Sequence, residues 1–292
     1  MIPFLGELKH YLGLLRNCIC EQCELRGNPV TLRLVPLGTN GFIPSFGRQT
    51  MSFLVLWRSE ALLVDAGTGM ARLLERPVME LLRPYDCLNI ILSHYHLDHV
   101  VGLSYLPGMW TRGCVRIYAP GQPFVQAVPE EALNQLLHPP LFSLTLHEFP
   151  VPIEVVELTQ ESLQIGDLTI QLRAQDHPGG SVGIRIADVI AYITDTIADQ
   201  ATQVFAQGVE LLLHEVWLTD AEASYNPVER SMHSYASAVA QIAMRAGVRQ
   251  LMPVHHHPKR SDADIRRLAR SIEKQAGIEV IVPQEGKVYQ LG

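Results

Sequence analysis

Residues 93–99 read Ser-His-Tyr-His-Leu-Asp-His and follow directly on the apolar run 88–92. A short apolar run of this kind reads as a buried strand. At a strand exit, side chains two apart point the same way, so His94 and His96 can share one cation. The chain then turns, and Asp98 and His99 can face a second cation beside the first. Two ions need more ligands than one loop supplies, and hydrolytic sites keep one position for water. The fold must therefore deliver further His or carboxylate side chains to the same edge. The alternative is a His-rich surface turn, which the preceding strand and the partners below argue against.

The same pattern recurs along the chain. The apolar run 189–193 is followed by Asp195, 211–213 by His214 and Glu215, and 250–254 by His255. His177 lies in the turn Asp-His-Pro-Gly-Gly-Ser between the alternating segments 168–173 and 182–186. Of twelve histidines, six (94, 96, 99, 177, 233 and 255) occupy such positions. Taken singly, each later His reads more readily as a hydrogen-bonded structural residue. Behind the first motif, His177, Asp195 and His255 become candidate ligands. His233 and Glu215 form a further pair: a His free of metal can protonate a leaving oxygen, and a carboxylate can fix its tautomer.

Strands are also expected at 31–37, 51–57 and 61–64, the last two as a hairpin. Helices are expected at 70–82, bent or broken at Pro77, and at 234–246 and 262–275. The segments 279–282 and 287–290 are expected to close the sheet. Region 120–165, with Pro139-Pro140, Pro150 and Pro152, reads as a loop-rich insertion and a flap over the site. Strands and helices alternating in both halves imply two packed sheets with helices outside. No linker or low-complexity stretch marks a boundary, so residues 1–292 read as one domain. An amphipathic helix at 2–17 and a Cys cluster make 1–27 an appendage.

The formal charge of −7 removes the basic footprint a general nucleic-acid binder needs. It still allows a pocket made positive by bound metal. No apolar run reaches membrane-spanning length, and the N-terminus lacks the basic and small-residue features of a signal peptide. Five cysteines, with Cys87 and Cys114 isolated, suggest reduced thiols and a cytoplasmic protein.

The order His-x-His-x-Asp-His, His177, Asp195, His255, with Leu63-Val64-Asp65-Ala66-Gly67 upstream, resembles the metallo-β-lactamase superfamily. The resemblance spans about residues 31–290. It implies an α/β fold, a four-layer αββα sandwich with a dinuclear site at one edge. His94, His96 and His177 would bind one metal and Asp98, His99 and His255 the other. Asp195 would bridge them, and Asp65 would brace the His loop. Within the superfamily, Pro36-Leu37-Gly38-Thr39, Leu212-Leu213-His214-Glu215, His233-Ser234 and Val254-His255-His256-His257-Pro258 look like the ribonuclease Z and cyclic phosphodiesterase branch. That likeness implies phosphodiester cleavage with Asp98, His233 and Glu215 in catalysis, His233 being the general acid positioned by Glu215. Ribonuclease Z usually carries a long tRNA-binding arm between the third His and the bridging Asp. Here seventeen residues (178–194) separate His177 from Asp195. The short gap and the acidic charge disfavour tRNA and favour a small or cyclic phosphodiester.

The ligand set suits zinc, with manganese or iron compatible. Cys18, Cys20 and Cys23 suit a third, structural zinc needing one more ligand, with His256, His257, Cys114 and His10 as candidates. Related cyclic phosphodiesterases carry a similar three-Cys cluster completed by a His. A carboxylic-ester, lactone or thioester hydrolase on the same metals is the first alternative. An iron redox enzyme is disfavoured because His96 stands where dioxygen-reducing relatives usually have Glu. A non-catalytic metal-binding protein is the last. The expected partner is a small phosphodiester, with no membrane, and a homodimer is compatible with this reading.

Overall fold

The computed structural model describes residues 31–292. The helix expected at 2–17 and the cluster Cys18, Cys20 and Cys23 lie outside the described residues.

Two seven-stranded mixed sheets stack face to face. The first contains β1 (Leu32–Gly38), β2 (Ser52–Trp57), β3 (Glu60–Val64), β4 (Cys87–Ile91), β5 (Cys114–Pro120) and β6 (Ile153–Leu158). The second contains β7 (Ser162–Ile165), β8 (Leu168–Gln175), β9 (Ser181–Ile186), β10 (Ile190–Ile193), β11 (Leu211–Glu215), β12 (Gln250–Val254) and β13 (Glu279–Val280). The last strand, β14 (Tyr289–Leu291), returns to the first sheet and pairs antiparallel with β1. In the first sheet β3 to β6 run parallel, and in the second β10 to β13 do.

Strand periodicity decides which side chain enters which layer. On β3, Leu62 and Val64 face the space between the sheets, where they pack with Phe53, Ile184, Leu213 and Met252. Their neighbours Ala61 and Leu63 face outward onto Leu73, Val78, Leu103 and Leu106 of the covering helices. On the other side, Ala191, Ile193, Leu212 and Leu251 pack under Val239, Ala243, Leu268 and Ile272. Both faces of the central strands are buried, so they read as continuous apolar runs rather than alternating ones. The result is the expected αββα sandwich. The helix Asp262–Ala276 buries Ile265, Leu268, Ala269 and Ile272, the i, i+3, i+4, i+7 stripe of a covering helix. It begins at a Ser261/Asp264 capping box and ends at Gly277 in the left-handed region, φ 67°.

Four local expectations are corrected. The helix expected at 70–82 is a 3-10 segment Thr68–Leu74 followed by a separate helix Arg76–Leu82. Pro77 lies in the first turn of the second helix, where its missing N–H costs nothing, so the break falls before it, at Glu75. The segments 279–282 and 287–290 do not close one sheet: β13 edges the second and β14 the first. Region 120–165 is more than a loop-rich flap, because it carries the helix Pro129–Leu136 and both edge strands β6 and β7, and so passes the chain from one sheet to the other. Cys87 and Cys114 are not isolated thiols. Parallel pairing of β4 with β5 sets them directly opposite, Cα–Cα 4.6 Å, and they form a disulfide. That bond also removes Cys114 as a ligand for the Cys cluster. Among the described residues no helix is long and apolar enough to cross a membrane.

Candidate metal centre

The parallel strands β3, β4, β10, β11 and β12 deliver their carboxyl ends to one edge of the sandwich, the usual location of sites in such sheets. Asp65 follows β3, the 93–99 loop follows β4, Asp195 follows β10, Glu215 ends β11 and His255 follows β12. Asp65, Asp195 and His255 each adopt left-handed backbone, φ 57°, 48° and 51°. That conformation costs about 1–2 kcal/mol per residue for a side chain bearing Cβ. Its recurrence at three strand exits turns three polar side chains into one cavity.

There, Asp195 stands between two groups of imidazoles. Its Oδ1 lies 3.5 Å from His177 Nε2 and 4.0 Å from His94 Nε2. Its Oδ2 lies 3.1 Å from His99 Nε2 and 3.2 Å from His255 Nε2. His96 Nδ1 joins the first group, 3.2 Å from His177 Nε2. Asp98 Oδ2 joins the second, 3.4 Å from His99 Nε2 and 3.3 Å from His255 Nε2. Two metal-competent clusters result: His94, His96, His177 and Asp195, and Asp98, His99 and His255. The structure thus brings together in space the residues that the resemblance divided into two sets. A further cluster joins Asp195, Glu215, His233 and His255.

The hydrogen bonds behind the site orient its lone pairs. Asp65 is fully buried and accepts from Ser93 N at 2.7 Å, Ser93 Oγ at 2.8 Å and His99 Nδ1 at 2.8 Å. Because the Ser93 hydroxyl proton is committed to Asp65, Ser93 Oγ accepts from His94 Nδ1 at 3.0 Å. Both rings therefore turn Nε2 toward the cavity, and both Nε2 atoms are buried without a hydrogen-bond partner. Unpartnered buried polar atoms of this kind cost free energy unless something binds them. A divalent cation fits this donor set, since ligating imidazoles are held in one tautomer by a bond on the far nitrogen.

The electrostatics point the same way. Burial pushes His94 well below the ordinary histidine value, so it is neutral. Burial also opposes charge on His99, but Asp98, Asp195 and Asp65 outweigh it and hold this ring well above its usual value. His255 is likewise lifted to about 10 against the effect of burial, by Asp195, Asp98 and Glu215. Asp195 titrates well below the carboxylate range despite burial, because His255, His99 and His94 surround it. The carboxylates thus demand positive charge between the rings, and protons supply it wherever cations do not.

Glu215 and His233 form the expected pair, His233 Nδ1 donating to Glu215 Oε2 at 3.0 Å. Glu215 Oε1 accepts from Ser234 N at 2.7 Å and Thr196 N at 3.3 Å. Burial opposes its charge, yet His233 and His255 bring it down to about 2. His96 is exposed and His177 partly so, which leaves this side open to substrate. Of the candidates for completing the Cys cluster, His256 is buried with both ring nitrogens unpartnered, and His257 packs on Trp217.

Several contributors escape sequence reasoning. The Phe42 N–H donates to Asp98 Oδ2 at 2.6 Å from a loop far away in sequence. Gly41 lies so close to His255 that a Cβ there would fall 2.5 Å from its ring. Tyr192 Oη donates to Asp65 Oδ2 at 2.6 Å from the opposite sheet. Neither Phe42 nor Tyr192 carries a motif; Ser93, by contrast, lies inside one.

The Beta-lactamase superfamily domain matches residues 60–256, which include every residue of the two metal-competent clusters. An uncharacterized protein of Mycobacterium tuberculosis is 28% identical over 273 residues, 86% of this chain and 90% of the relative. Ribonuclease Z of Mycobacterium bovis is 29% identical over 246 residues, 78% of this chain and 86% of the relative. Among solved structures, the metallo-beta-lactamase fold protein YhfI from Bacillus subtilis superposes with a TM-score of 0.70 at 20% identity, covering 89% of this chain and 99% of its own. The fold, the clustered His and Asp side chains and these likenesses support a metal-dependent hydrolase. The chain belongs to the metallo-β-lactamase superfamily and stands near its ribonuclease Z and phosphodiesterase branch.

Proposed function

We propose that this protein is a phosphodiesterase acting on a small or cyclic phosphodiester, with two divalent cations, zinc in the first instance. His94, His96 and His177 would hold one ion, and Asp98, His99 and His255 the other, with Asp195 between them. Bound there, the ions would lower the pKa of water and offset charge on phosphoryl oxygens. We also read residues 1–292 as one domain with 1–27 appended; for the described residues 31–292 the core the two sheets share supports the single domain.

The observation that carries the phosphodiester reading is the pair His233 and Glu215. Glu215 is pinned by two backbone N–H groups and holds His233 Nδ1, which leaves His233 Nε2 to donate a proton. A leaving alkoxide needs that proton, whereas a nitrophenolate does not. Protonation by a positioned side chain is worth about 10²–10⁴-fold. His233→Ala should therefore retain two metals per chain and most of its turnover of bis(4-nitrophenyl) phosphate, and lose about 10²–10⁴-fold on phosphodiesters with alkoxide leaving groups. Full activity of the variant on alkyl phosphodiesters would remove His233 from the chemistry. A wild-type preference for lactones or thioesters over every phosphodiester would overturn the substrate class. The short 178–194 segment and the acidic charge support a small substrate over tRNA.

A further inference from the structure

His233 differs from every other member of the site in how it is held. The others sit at or near the ends of buried strands. His233 follows the one-turn helix Pro227–Arg230, whose residues include no buried one and whose Val228 is 67% exposed. One hydrogen bond, Nδ1 to Glu215, anchors the ring, and a single bond leaves the ring plane free to rotate about it. Something else must set the plane before Nε2 can have a defined direction.

The indole of Trp217 meets that need. It stacks on the His233 ring with centroids 4.6 Å apart and planes 18° from parallel. Its main chain is tied on both sides: Trp217 N donates to Ser234 O at 3.1 Å, and Trp217 O accepts from Arg260 Nη2 at 2.7 Å. It also packs against His257, centroids 4.6 Å apart. The side chain is nearly buried, yet its Nε1 has no hydrogen-bond partner. A buried Trp usually places its N–H on an acceptor. Here the face of the ring is used and the polar group is not.

We propose that Trp217 is a positioning residue for proton donation. Its indole fixes the plane of His233, Glu215 fixes the rotation within that plane, and together they aim Nε2 at the leaving oxygen. The inference rests on the reading of His233 as proton donor. Trp217 touches no reacting atom itself, although it also borders His255, centroids 5.3 Å apart, so metal retention must be measured alongside.

The test uses the full-length, metal-loaded protein and a series of aryl phosphodiesters, from 4-nitrophenyl to 4-methoxyphenyl leaving groups. Trp217→Leu should lower kcat about tenfold to a hundredfold on the poorest leaving group, the range expected for a misaligned catalytic group, and little on the best. KM and metal stoichiometry should stay near wild type, and Trp217→Phe, which keeps a ring face, should recover most of the loss. Added to His233→Ala, Trp217→Leu should produce no further leaving-group effect. Equal loss across the series, or loss of metal, would make Trp217 a structural residue and overturn the inference. If Trp217→Leu does not fold, Trp217→Met, apolar and without a ring face, takes its place under the same criteria. A flat leaving-group response in His233→Ala would instead sink the proton-donor reading itself. A steep response there with a wild-type response in the Trp217 variants would sink only the present inference.

Discussion

The phenol of Tyr192, on the second sheet, donates a 2.6 Å hydrogen bond to Asp65, on the first. Both residues are almost wholly buried, and Asp65 in turn holds His99 Nδ1. The bond therefore ties the two sheets together at the point where a candidate metal ligand is oriented. Burial and the neighbouring Asp65 keep the phenol well above its usual pKa, so it remains a neutral donor. Tyr192→Phe removes one donor from a buried carboxylate that has three others. A stability loss of about 1.5–3 kcal/mol is expected in denaturant titration, the range for a hydrogen bond to a charged group. Metal affinity should fall by about tenfold to a hundredfold, as for other residues that orient a metal ligand. Unchanged affinity in a destabilised variant would restrict Tyr192 to a folding role.

Metal uptake should release protons. In the metal-free chain His255 is lifted to about 10, so at pH 7 it carries a proton that a cation must displace. His99 is also held protonated by its carboxylates. The sign follows: affinity rises as pH increases from 7 toward 10 and falls as pH decreases, because ligating imidazoles must be neutral. Calorimetric titrations of zinc in buffers of different ionisation enthalpy at pH 7 would count the protons. Binding with none released would contradict the electrostatics described here.

Gly41 is expected to tolerate no side chain. A Cβ at this position would lie 2.5 Å from both Cε1 and Nε2 of His255. The ring cannot yield without leaving Asp98 and Asp195. Gly41→Ala should cost about 1–3 kcal/mol of stability, as overpacking does, and it should reduce metal content. Elemental analysis of the purified variant beside wild type checks this, and a metal content equal to that of wild type would refute it.

The Cys87–Cys114 disulfide closes a loop across a sequence separation of 27 residues between paired strands. Restricting the unfolded chain to that extent stabilises a fold by about 2–4 kcal/mol. Denaturation midpoints with and without reductant should differ accordingly, while Cys87→Ser should be insensitive to reductant. The bond lies at the start of β4, at the opposite end of the strand from the 93–99 loop, so metal content should not change on reduction.

Much of this protein was readable without coordinates. The apolar runs, each ending in His, Asp or Glu, located the central strands because strands buried on both faces need unbroken hydrophobic sequence. The same runs located His94, His96, Asp98, His99, Asp195 and His255, because a residue just past a strand is the first that can turn toward solvent and still be held rigidly. The resemblance to the metallo-β-lactamase superfamily, not the residue order by itself, implied the division into the two sets that the fold brings together. What the tertiary structure alone decided depends on pairing between distant segments. Cys87 meets Cys114 only because β4 and β5 are parallel and in register, and β13 and β14 separate only because their partners lie in different sheets. Tyr192 reaches Asp65, Phe42 N–H reaches Asp98 and Trp217 covers His233 across 127, 56 and 16 positions of chain. No local propensity encodes such contacts. The strand exits set which groups can bind metal, while the packing of the two sheets set which groups hold them still.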